Sequence, residues 1–257
     1  KTHDVWIALD ATADLDWTYA PPVCRLALEP YLDSGQLGFA RLREQTAQVD
    51  DILSDAIHGP RGILANRERV DEFGWRHFGD IYADHEEQYY DDPRPLVSHY
   101  NNQFDLIYGF LVNYLRTGER SLFELGDDLA RHVADVDIYW TDRDRDAYNG
   151  GLFWFTDHYL HAGTSTHRSY TEANRPPGQD YGGGPGPEHN FTAGLLLHHR
   201  LTGYARSGDA VVSLANWVIA MDGMESRWGP NGTATATSHP DYPGPGRGAG
   251  NSLNALL

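Results

Sequence analysis

Apolar residues recur with helical spacing in four stretches of the chain, and each stretch opens on an asparagine: Asn102, Asn149, Asn190 and Asn251. In the first, Phe104, Leu106, Ile107, Phe110, Leu111, Tyr114 and Leu115 keep the i, i+3, i+4 pattern of an amphipathic helix. Gly118 stops it, as a C-terminal cap would. Leu122, Leu125, Leu129, Val133 and Val136 then form a second stripe with charges between them, the signature of a helix half turned to water. A second run spans Leu152 to His161 without a clear outer partner. A third hairpin pairs Phe191–Leu201 with Val211–Met221, and a fourth run begins at Asn251. The first three runs end at Gly118, Gly163 and Gly203. Their spacing, roughly 40–60 residues, is that of a two-helix repeat or a looped variant of one. The pattern predicts stacked hairpins that close into an α/α toroid, with the starts of the inner helices around one cleft. Each Asn is placed to be an N-cap, a role compatible with ligand contact.

The rest of the chain is less regular. Residues 2–10 alternate like a strand, and Ala20-Pro21-Pro22 breaks the pattern. Residues 1–20 therefore read as the end of an upstream β domain and 21–257 as an incomplete toroid, mainly α. Residues 23–57 read as a connection with short helices, and 59–100 as a long loop with no helical period, the kind that lines a cleft. The chain opens on Lys1 and stops at Leu257 inside the fourth run, which reads as a piece of a longer protein.

Composition narrows the partners. The formal net charge of −17 leaves little to neutralise phosphates, so no nucleic acid is expected. It weighs mildly against an acidic polymer, although a local Arg and His cluster overrides a global field. Aromatics are 12% of the residues, usual for a cleft that stacks on sugar rings and also for a wide core. Cys24 is the one cysteine, so no intrachain disulfide forms, in keeping with a cytosolic or an exported bacterial protein; the secreted or periplasmic setting is the expectation. No apolar run reaches the ~18 residues of a membrane span, and no membrane partner is expected.

The densest chemistry lies at 148–170: Tyr148, Asn149, Trp154, Asp157, His158, His161, His167, Arg168 and Tyr170. Asp157 and His161 share one helix face. Three readings stand. His158 and His161 with Asp157 form a metal site, although the His-Glu-x-x-His spacing is absent; His and Tyr move protons near neutral pH; or the face is simply polar. No metal or cofactor is assigned. Arg168 can clamp a carboxylate through two parallel hydrogen bonds, with His167 or Tyr170 beside it to take a proton. That combination suits eliminative cleavage of a uronic-acid sugar. His189, before Asn190, would project into the same cleft. His198 and His199 face different directions, so at least one is structural. Asp80, Asp84, Glu86 and Asp157 offer carboxylates for a hydrolase instead. The glycine-rich 181–187 lacks the successor residues of a phosphate cradle.

The segments Phe73-Gly74-Trp75-Arg76-His77-Phe78-Gly79-Asp80, Tyr100-Asn101-Asn102-Gln103-Phe104-Asp105, Tyr148-Asn149-Gly150-Gly151-Leu152-Phe153-Trp154 and Glu188-His189-Asn190-Phe191 resemble the exo-acting rhamnogalacturonan lyase-like proteins. The likeness spans roughly residues 60–205. It implies a barrel-like β domain followed by an α/α toroid of the six-hairpin glycosidase type. It also implies β-elimination on a uronate-containing polysaccharide. His189, His167 and Tyr170 are then the proton-transfer candidates and Arg168 the carboxylate clamp. Asn102, Asn149, Trp154, Tyr148, His158 and Asn190 are the expected sugar contacts. A glycoside hydrolase and a non-catalytic carbohydrate-binding module are the alternatives.

Overall fold

The computed structural model describes residues 25, 27–35, 47–74, 78–83, 98–99, 102–143, 149–152, 190–221 and 247–256. This part is mostly helical. In chain order it contains α1 (Leu28–Asp33), α2 (Ala47–His58), α3 (Ile63–Arg69), α4 (Leu106–Thr117), α5 (Arg120–His132), α6 (Ala193–Thr202), α7 (Ala205–Met221) and α8 (Arg247–Leu256). A two-stranded antiparallel ribbon pairs β1 (Tyr82–Ala83) with β2 (Ser98–His99), Tyr82 opposite His99. The expected strand at 2–10 and most of the second inner run lie outside the described residues.

Two helical hairpins form the centre. The α4 and α5 stripes meet through Ile107, Leu111, Leu122, Leu125 and Leu129, all buried in one core that Leu195 and Leu214 join from α6 and α7. Burying each such side chain stabilises the fold by about 2–3 kcal/mol. Both hairpins turn by the same device. Gly118 and Gly203 adopt left-handed φ of 77° and 72°, and their N–H groups donate to Tyr114 and His199 carbonyls one turn back. In each, the preceding Thr bonds its hydroxyl to the carbonyl four residues earlier, Thr117 to Asn113 and Thr202 to His198. Each Thr oxygen then accepts the N–H two residues on, from Glu119 and Tyr204. The last carbonyls of a helix lack internal partners, and here the turn supplies them.

Two glycines permit close approach, Gly126 of α5 to α4 within the first hairpin and Gly194 of α6 to the start of α4 between the hairpins. A Cβ on Gly126 would meet Leu111 Cδ2 at 2.9 Å, and one on Gly194 would meet Asp105 Oδ1 at 2.3 Å and Tyr108 N at 2.5 Å. Peripheral helices are fastened by charge. Arg25 Nε donates to Leu115 O at 3.0 Å, Asp50 of α2 pairs with buried Arg116, and Arg67 of α3 donates to Asp128 Oδ2 at 3.0 Å.

Three expectations need correction. Residues 63–69, read as loop, form α3; seven residues are too few to display a helical period, and the Arg67–Asp128 pair holds the segment. The fourth run begins at Arg247, four residues before Asn251, which therefore lies inside α8 and caps nothing. Leu152, expected to begin a helix, instead forms an antiparallel bridge with Ile138.

The glycine packing yields a prediction. Gly194→Ala destabilises by about 3 kcal/mol, because the new methyl group must part α4 from α6. Gly203→Ala has open space and loses only about 1–2 kcal/mol to its left-handed φ. Urea unfolding midpoints rank the two variants.

Candidate functional site

The start of α4 is built around Asp105, with Asn102 in support. Asp105, not Asn102, is the N-cap: its Oδ1 accepts Tyr108 N at 3.3 Å. Its Oδ2 accepts Gly194 N at 3.0 Å, so one carboxylate binds the starts of α4 and α6 together. Asn102 donates through Nδ2 to Asp105 Oδ1 at 3.4 Å and accepts Ile107 N at 3.4 Å. Asn102 does not occupy the cap position of α4, because it lies four residues before Leu106; its own backbone is in the left-handed region, φ 47°. Phe104 and Asp105 share that region at 60° and 55°. Asn and Asp tolerate it; for Phe it is an outlier that costs about 1–2 kcal/mol. Burial pushes the Asp105 carboxyl up to about 6, against the Gly194 and Tyr108 N–H groups and Asn102, which favour the ionised form.

Asn190 lies three residues before α6 and does not cap it; Thr192 takes the cap position without a side-chain capping bond. Asn190 is fully buried, donates to Leu214 O of α7 at 3.4 Å, and keeps an Oδ1 with no partner among the described residues. Asn149 sits in a turn with Gly150, φ 72°, whose carbonyl accepts from Ser213 Oγ at 2.9 Å. Tyr139 N donates to Gly151 O at 2.9 Å and Gly150 N returns a bond to Tyr139 O at 2.9 Å. The three Asn segments are thus joined through α4, α6 and the middle of α7, where Ser213 and Leu214 are consecutive.

A second cluster lies where α5 ends. His132 is the last residue of α5, and a π turn over Val133–Asp137 follows, closed by Ile138 N on Val133 O at 3.3 Å. The wider turn brings Asp137 back to His132, Oδ1 to Nε2 at 3.3 Å. Asp80 approaches from the loop before β1, Oδ2 to the same Nε2 at 3.6 Å. Gly79 docks that loop: its φ is 92°, and a Cβ there would strike Asp128 O at 2.4 Å. His132 Nδ1–H donates to Phe78 O at 2.8 Å, and Ile81 N donates to Asp80 Oδ1 at 2.7 Å. All three ionisable side chains are buried. Burial alone would lower the His132 pKa. The Asp137 and Asp80 carboxylates overcome it and raise it to about 9, so the ring is an imidazolium at neutral pH.

The third polar group crosses three helices. His198 Nε2 meets Asp127 Oδ1 at 2.7 Å and His198 Nδ1 meets Ser207 Oγ at 2.8 Å. With Nε2–H donating to the carboxylate, Nδ1 accepts the Ser207 hydroxyl, the proton order of a serine nucleophile with its base. Ser207 and His198 are fully buried, so no substrate carbonyl reaches them, and the trio pins α5, α6 and α7. His198 is thus the structural member of the His198-His199 pair. Burial opposes the Asp127 charge, but His198 and Arg131 together hold its pKa below the usual value. Arg131 also stacks over Tyr204 at 4.3 Å, and Tyr204 donates to Asp135 at 2.8 Å.

Of the residues assigned from sequence, Asn102, Asn149, Asn190 and Asp80 are described. His189, His167, Tyr170, Arg168, Trp154, Tyr148, His158, Asp84, Glu86 and Asp157 lie outside the described residues. Sequence reasoning passed over Asp105, His132, Asp137 and Asp127. One missed residue carried a readable signal: His132 continues the Leu122, Leu125, Leu129 stripe, as His198, singled out in the sequence, continues Phe191 and Leu195, so each is a polar residue on a core face. Among the described residues no group of His, Cys, Asp or Glu is arranged to hold a metal ion. No helix there is long and apolar enough to cross a membrane. No family model, curated protein or solved structure matches the chain.

Two pH windows follow. His132 has a raised pKa, so its contribution is full below 6.5 and is lost as pH rises through about 9. Asp105 is a raised carboxyl, so its own contribution falls as pH rises from 3.8 to about 6 and is level above. His132→Gln removes the alkaline slope and costs about 3–5 kcal/mol at neutral pH, since two buried carboxylates lose their cation. Asp105→Asn removes the acid slope. Urea unfolding at closely spaced pH values reads both.

Proposed function

We propose that the chain is part of a carbohydrate-active enzyme that cleaves a uronate-containing, rhamnogalacturonan-like polysaccharide by β-elimination, on an incomplete α/α toroid. One observation carries this reading. Three of the segments that resemble the lyase-like family, those around Asn102, Asn149 and Asn190, meet along two adjoining hairpins: Asp105 holds Gly194, Gly150 holds Ser213 and Asn190 holds Leu214. Segments 47 and 41 residues apart along the chain gather at one place, as a shared cleft requires. The repeated Thr-Gly turn at 117–118 and 202–203 supports hairpins of one kind.

In this reading Arg168 neutralises the uronate carboxylate, which makes the C5 proton acidic. A base among His189, His167 and Tyr170 takes that proton. The C5–H electrons form the C4=C5 double bond, the C4–O bond breaks, and a second group of the three protonates the departing glycosidic oxygen. Tyr148, Trp154 and His158 line the sugar path. The hydrolase alternative gains no support from Asp80, whose side chain is fully buried against His132 and has no face to offer a glycosidic bond.

Incubation with rhamnogalacturonan or polygalacturonate produces a 4,5-unsaturated uronate, read by its ultraviolet absorbance. His189→Ala and His167→Ala each lower the rate about 100-fold or more while the polymer still binds. New reducing ends without the absorbance would instead identify a hydrolase. Retained binding with neither signal would identify a binding module.

A further inference from the structure

The turn that opens α4 inverts the usual arrangement of polar and apolar side chains. Asn102 and Asp105 are buried, at 1% and 8% exposure, while Phe104 between them stands 68% exposed. Nothing in the local backbone favours this. Phe104 has φ 60° and ψ 18°, a left-handed conformation that crowds a side chain with a Cβ, and its ring is not shielded from water in return. The arrangement is held from beneath. Asp105 N donates to Asn102 O at 3.1 Å, Asn102 Nδ2 reaches Asp105 Oδ1 at 3.4 Å, and Asp105 is fixed to Gly194 N at 3.0 Å. Two buried polar side chains and a neighbouring helix therefore keep one aromatic ring turned to solvent on a stiff support. Strain of this kind persists only where surrounding bonds over-determine it, and it collects at ligand clamps. A ring presented on a fixed backbone binds with little ordering cost.

We propose that Phe104 is a sugar-stacking platform, taking the apolar C–H face of one pyranose ring of the polysaccharide. The assignment rests on the carbohydrate reading above and adds a binding residue to it. Phenyl lacks a hydrogen-bonding group, so the platform reads the face of the ring rather than its carboxylate. It therefore serves a neutral deoxyhexose and a uronate alike. The acid chemistry stays with Arg168 and its neighbours.

The test is calorimetric titration of the chain with rhamnogalacturonan oligosaccharides, alongside thermal melting and the unsaturated-product assay. Phe104→Asn suits the left-handed turn and removes the ring. It raises the melting temperature by about 2 °C through relief of strain. It also weakens oligosaccharide binding about tenfold, the scale of one lost aromatic stack. Phe104→Trp keeps affinity within about threefold, and its new indole fluorescence shifts on sugar addition. Phe104→Gly serves as a second ring-less variant that keeps the turn. Unchanged affinity in the ring-less variants overturns the proposal, as does failure of the unmodified chain to bind the oligosaccharides. The lyase reading fails separately: tenfold weaker binding in Phe104→Asn with no unsaturated product from any variant keeps the platform and discards the elimination.

Discussion

One carboxylate organises the described structure. Asp105 reaches N–H groups on two helices, Tyr108 of α4 and Gly194 of α6, and its two oxygens are divided between them. The bond to Gly194 exists because that residue lacks a Cβ; any side chain would occupy the space of the carboxylate itself. The starts of two helices from different hairpins are thereby fixed at hydrogen-bond distance. Hydrophobic burial along Leu111, Leu125 and Leu195 supplies most of the stability but is non-directional. The directional bonds of Asp105 set the register in which those side chains meet. The cost is a buried charge, visible in a carboxyl pushed up to about 6.

The same logic recurs at the other polar groups. Asp127 with His198 and Ser207 sets α5 against α6 and α7, and Asp80 with His132 and Asp137 sets a loop against the end of α5. Each joins elements far apart in sequence, and each is buried apart from the half-buried Asp127. Such groups add little net stability compared with apolar replacements, yet removing one member leaves charge or hydrogen-bonding capacity stranded. Their contribution is to specify one packing among several that the apolar stripes would allow.

Much of this helical frame was legible in the chain. The stripes at 104–115, 122–136, 191–201 and 211–221 have the helical period, and Gly118 and Gly203 end their helices as left-handed caps. The starts were harder, because Asn102 and Asp105 are both acceptable caps by residue type. Both backbones are left-handed, at φ 47° and 55°, and only position decides: α4 opens directly after Asp105, whose carboxylate accepts Tyr108 N. The short α3 carried no period, and its docking through Arg67 to Asp128 is a contact over 61 residues that no local pattern reveals. At the candidate site, the Asn segments were noticed for their recurrence. Asp105 was hidden by its neighbour, and His132 and Asp137 passed as charges on a half-exposed helix. The π turn that joins those two depends on one extra residue in the winding, which composition does not register.

That extra residue has a further meaning. An α-helix advances by about 100° per residue, so a chain one residue shorter between Val133 and Asp137 would swing everything beyond it by that angle. Asp137 would leave His132, and the bridge from Ile138 to Leu152 would lose its partner. Length across this short span thus acts as a ruler: among homologous chains, a single-codon gap there would separate those able to build the imidazolium cage from those that are not, whatever their residues elsewhere.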